Sequence, residues 1–155
     1  MNKKIFLLLA LFFALFAESK GMNNVTDSQK VDSLKIKVQE SMNTSMEIVY
    51  LDSMLHLAKA MDSTRLVCQT MTYMARNYYN RMNADSLMYW GEKAIELSLE
   101  YEFFPIYFDA FSLVCSWELY EKDYDSALDK ANQLYQKAKE LDNADGMIAS
   151  YETIG

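Results

Sequence analysis

The chain has 155 residues with 15 basic and 22 acidic side chains, a formal net charge of −7, and 51% hydrophobic residues with one proline and four glycines. So acidic a surface repels phosphate backbones and anionic headgroups, which argues against nucleic-acid binding. So little proline and glycine suits helices and leaves few turn signals for a sheet protein, and the length fits one domain.

The first element reads as an address. Lys3 and Lys4 precede an apolar run from Ile5 to Ala17, and polar Glu18, Ser19 and Lys20 follow. The run is shorter than the roughly 18 residues of a spanning helix, so residues 1–17 are expected to be a cleavable secretory signal, with cleavage after Ala17 or Ser19. Export to a periplasm is the expectation, and an uncleaved N-terminal membrane tether is the alternative. Cleavage at 17 takes two lysines and no acid, leaving 13 basic against 22 acidic side chains, or −9, and no membrane span is expected in the mature chain.

Residues 18–27 read as a polar linker. Beyond them helical periodicity predicts three helix pairs, over 28–61, 64–100 and 105–141, with 146–155 as the first helix of a fourth. In the first pair, Ser45 can cap a helix carrying Ile48, Leu51, Met54, Leu55, Ala58 and Met61. In the second, Asp85 occupies a capping position ahead of Leu87, Trp90, Gly91, Ala94, Ile95 and Ser98; forty residues on, Asp125 precedes Ala127, Leu128, Ala131, Leu134, Tyr135 and Ala138 in the same rhythm. Pro105 belongs in the first turn of its helix, where its missing N–H costs nothing. The turns at 82–84 and 122–124 are too short for anything but antiparallel hairpins.

These elements repeat without insertion or deletion. Met71, Phe111 and Tyr151 share a column at forty-residue steps, as do Met74, Val114 and Ile154, and Ala75, Cys115 and Gly155. Self-similarity at such a period is the signature of stacked helix pairs. Glu47 stands in the column of Leu87 and Ala127, so the first copy is degenerate but in register.

The pattern resembles the tetratricopeptide repeat, through Met71, Met74, Ala75, Tyr78, Leu87, Gly91 and Ala94 in one copy and Phe111, Val114, Cys115, Glu118, Ala127, Ala131 and Leu134 in the next. It departs from that family in lacking the closing proline, in placing Glu118 where an aromatic is usual, and in its forty-residue period. The resemblance implies an all-α solenoid of antiparallel helix hairpins that binds a protein or peptide without catalysis, similar to the extracytoplasmic sensor region of bacterial signalling regulators. A structural role in an envelope complex is the alternative, and a small exported enzyme the least favoured reading. The resemblance further implies a groove lined by first helices. By helical phase its positions are Gln69, Thr72, Arg76, Tyr79 and Asn80, then Asp109, Ser112, Ser116, Leu119 and Tyr120. Arg76 with Asn80 can hold a carboxylate or carbonyl, and Tyr79 and Tyr120 supply rigid interface area. A merely solvated helix face is the competing reading of the same residues.

Catalytic and metal-binding patterns are not evident in the sequence, and no cofactor is expected. His56 is the only histidine, and its column continues as Glu96 and Gln136, a solvated position. Cys68, Cys115 and His56 fall on different helices at unmatched heights, and glycine-rich phosphate loops are missing. The two cysteines are out of step by roughly 10 Å along parallel helices, so separate thiols are expected, with Cys115 in a small-residue packing slot. The aromatic stretch from Tyr101 to Phe111 reads chiefly as packing. Ending on half a hairpin predicts a weakly anchored helix over 142–155 and self-association through that end.

Overall fold

The computed structural model describes residues 26–154, with side chains as far as Glu152. The expected signal at 1–17, most of the polar linker, and Gly155 lie outside the described residues. Seven helices follow one another: α1 Asp27–Glu40, α2 Ser45–Ala60, α3 Thr64–Asn80, α4 Ala84–Glu100, α5 Phe104–Tyr120, α6 Tyr124–Glu140 and α7 Ala144–Ile154. No strand occurs among the described residues, and the chain is all-α.

The joints are as regular as the helices. From α2 to α6 each helix is followed by a three-residue turn whose middle residue is left-handed: Asp62, Met82, Glu102, Lys122 and Asp142, with φ between 49 and 57° except 63° at Lys122. The next amide then reaches back five residues to a helix carbonyl, as in Ser63 to Ala58, Asn83 to Tyr78, Phe103 to Ser98, Asp123 to Glu118 and Asn143 to Ala138, at 2.8–3.0 Å. This arrangement satisfies carbonyls that the helix end would otherwise orphan. Glycine is the usual occupant of the left-handed site, and here it is filled at a cost by side chains of five types across six turns, counting Asn43.

The starts of the helices use the residue after the left-handed one. The Asn83, Asp123 and Asn143 side chains accept from the backbone N–H of Ser86, Ser126 and Gly146. Asn83 rather than Asp85 is therefore the cap, and Thr44 rather than Ser45 caps α2 by accepting from Met46 N–H. Pro105 sits in the first turn of α5, as its chemistry requires.

Short turns reverse the chain at every step, and packing sorts the helices into two sets. α3 packs on α5 and α5 on α7, whereas α2, α4 and α6 touch only their neighbours in sequence. α1 touches only α2. One buried cluster joins α2 and α3 through Leu51, Met54, Leu55, Ala58, Val67 and Met74. A second gathers Tyr107, Phe108, Phe111, Cys115, Leu134 and Ala138, so the aromatic stretch is packing at its α5 end, while Tyr101 stays about half exposed.

Two glycines mark close approach. A Cβ at Gly91 would lie 2.7 Å from Val114 Cγ2, and one at Gly146 2.6 Å from the Phe108 ring. Gly146 lets α7 settle onto α5, where Met147 and Ala149 join the second cluster and Ser150 is fully buried. The last helix packs on α5 and α6, while Ile148 and Tyr151 remain exposed.

Candidate functional site

The ten positions marked by helical phase do not share one environment. Arg76 and Asp109 are brought together: the guanidinium Nη2 meets Asp109 Oδ1 at 2.5 Å, bridging α3 to α5, with both side chains about half exposed. Tyr79 packs edge-on against Trp117 with ring centroids 5.8 Å apart, and Trp117 in turn contacts Tyr120 at 5.3 Å. Tyr120 remains 56% exposed, so this aromatic step has a buried root and an open tip. Gln69, Ser112, Ser116 and Leu119 are half-buried, and Asn80 is exposed.

Thr72 is a correction. It is 1% exposed, and its hydroxyl donates to the Cys68 carbonyl. A threonine that satisfies its own polar group on the preceding turn can enter a packed joint, so Thr72 is not available on the open face. Ser112 and Ser116 do the same at their edge of the face, donating to the Phe108 and Ser112 carbonyls at 2.8 Å.

Two clefts flank the Arg76–Asp109 pair. The first, of about 310 Å³, opens where α1 stands off from α3, and its lining includes Lys35, Met42, Met54, Tyr73, Arg76 and Asn80. Met54 is fully buried beneath it. Glu47 also reaches this cleft, and its Oε2 accepts the N–H of left-handed Asn43 at 2.7 Å. That bond explains how a carboxylate occupies a column filled by Leu87 and Ala127 elsewhere. Arg81 closes a neighbouring joint by donating to the Thr44 carbonyl. The second cleft, of about 370 Å³, lies between α5 and α7 and includes Phe108, Asp109, Ser112, Asn143, Asp145 and Glu152.

Lys35 on α1, Met42 in the following turn and Glu47 on α2 are not among the positions expected from the sequence. Their signal is weak because the first copy is degenerate and Lys35 looks like any solvated lysine. On α7, Asp145 and Glu152 were missed for the same reason: one cleft wall each is visible in sequence, and its partner is not.

The two thiols are withdrawn from solvent. Cys68 and Cys115 are free and fully buried. Burial raises the Cys68 thiol, and burial reinforced by the Glu118 carboxylate pushes Cys115 up to about 12, so neither supplies a thiolate near neutrality. His56 is exposed on α2. Among the described residues no three His, Cys, Asp or Glu side chains converge closely enough to hold a metal ion, and no helix is long and apolar enough to cross a membrane. What the arrangement offers is a run of donors, acceptors and aromatic edges along adjacent helices, suited to non-covalent recognition. No protein-family model, curated protein or solved structure matches this chain.

Proposed function

We propose that this chain is a non-catalytic protein- or peptide-binding scaffold of tetratricopeptide type. Its helix hairpins repeat every forty residues as a solenoid, residues 1–17 direct its export to a periplasm, and sensing for a signalling regulator is the role the family resemblance favours. The recurrence of left-handed turn residues at twenty-residue steps from Asp62 to Asp142 supports the repeat. One observation carries the binding role. The neighbouring helices α3 and α5 are tied by Arg76–Asp109 on a face that is flanked by two clefts and carries an exposed Tyr120. A pocketed, mixed polar and aromatic face with little buried chemistry is what a peptide groove requires.

Panning a random dodecapeptide library on the purified chain tests this. Enriched peptides are expected to lose about fivefold to tenfold in affinity with Asn80→Ala or Tyr120→Ala, and to be indifferent to Glu92→Ala on α4. No enrichment, or equal sensitivity to all three changes, contradicts the proposal.

A further inference from the structure

The two clefts differ in charge, and the difference has a direction. At the α1–α3 cleft, Lys35 is exposed and makes no ion pair among the described residues, and Arg76 shares the lining with Met54 and Tyr73. Glu47 is the one carboxylate there, buried and hydrogen-bonded to the Asn43 amide. At the α5–α7 cleft the charges are all negative: Asp109, Asp145 and Glu152, with Phe108 and Ala149 below them. Asp109 is matched by Arg76, whereas Asp145 and Glu152 make no ion pair among the described residues. Arg76 lines one cleft and Asp109 the other, so their ion pair is the ridge between a cationic end and an anionic end of one face.

Resting on the peptide-binding reading above, we propose that this face takes an extended peptide in one charge order. An acidic residue next to an aliphatic or methionine side chain enters the α1–α3 cleft, and a lysine or arginine enters the α5–α7 cleft. The internal ridge pair disfavours a uniformly charged ligand, because a peptide of either single sign meets repulsion at one end. Unpaired carboxylates beside the apolar Phe108 and Ala149 suit the ammonium or guanidinium of a basic side chain, whose stem is apolar and whose head is cationic. Cleft centres separated by two helix spacings lie about 20 Å apart, or about six residues of extended chain. The chain's net negative charge makes the cationic end at Lys35 the exceptional one, so it carries most of the selectivity.

The dodecapeptides enriched on the unmodified chain provide the test. They are expected to share an acidic residue beside an apolar one, and a basic residue about six positions away, in a single order. Lys35→Glu and Glu152→Lys are each expected to weaken the enriched peptides about tenfold, and a peptide with its basic residue changed to glutamate should recover binding on Glu152→Lys. Asp145→Asn should give a smaller loss in the same direction. Enriched peptides with no fixed charge order, or with affinities that neither reversal moves, overturn this proposal and leave the peptide-binding reading standing. No enrichment at all overturns both.

Discussion

In the α3/α4 hairpin, Tyr78 and Trp90 pack beside buried Ala75, Leu87 and Trp117. Forty residues later the same two positions carry Glu118 and Lys130, which form an ion pair between α5 and α6. The backbone plan is unchanged, and the chemistry holding it is different. An aromatic joint gains from area removed from water and asks for no partner. An ion pair must first repay the removal of a carboxylate from water, and Glu118 is 7% exposed with its Oε2 buried and unpartnered. The second hairpin is therefore the conditional one, stable only while both charges are present.

Breaking the pair should have the largest effect. Lys130→Ala leaves the buried carboxylate alone and is expected to cost about 3 kcal/mol in chemical denaturation, the low end for a buried pair because Lys130 keeps 29% of its side chain exposed. Tyr78→Leu at the equivalent position of the first hairpin, a large apolar swap, should cost less.

Alkaline titration probes the second hairpin through its buried thiol. Cys115, which occupies the column of Ala75, has its thiol held up to about 12 against an ordinary 9.0. Between those values the folded chain keeps a proton that the unfolded chain releases. This contribution is full below about pH 9 and is lost as pH rises toward 12. Cys115→Ala should flatten the fall in stability over that window, and an unchanged slope would show that the Cys115 thiol does not contribute to it.

Converting the second joint into the first is the next step down. The double change Glu118→Tyr with Lys130→Trp is expected to raise stability by about 1–2 kcal/mol, since well-packed apolar residues often outperform a buried pair. A melting temperature below that of the parent chain would mean that the α5/α6 joint lacks the space its counterpart has.

The smallest effect is local. Lys122→Gly relieves a left-handed lysine at φ 63° and should add about 0.5–1 kcal/mol, read by denaturant midpoint.

The sequence reveals much of this frame because the period is kept without slips and several columns, such as Met71 with Phe111 and Met74 with Val114, stay apolar. The turns show where legibility ends. The left-handed positions carry Asp, Met, Glu and Lys instead of glycine, so their equivalence from hairpin to hairpin is invisible until the backbone is traced. Glu118 was conspicuous as a departure from an aromatic column, yet its match to Lys130 depends on which residue of α6 faces it. On the open face, phase marked Arg76 and Asp109 separately. Their pairing joins positions 33 apart rather than forty, an offset that column alignment cannot show. Thr72 failed for the opposite reason, since residue polarity suggested solvent where a hydroxyl had found its own carbonyl.

The proposed binding role rests on the face of α3 and α5 with its two clefts, which the hairpin joints hold in place. Amide chemical-shift mapping of the isotope-labelled chain with one enriched dodecapeptide tests this most directly. Shifts are expected to concentrate at Lys35, Arg76, Asn80, Ser112, Tyr120 and Asp145. Shifts confined to Tyr89, Glu92 and Lys93 on α4, or to Leu128 and Asp129 on α6, would contradict it.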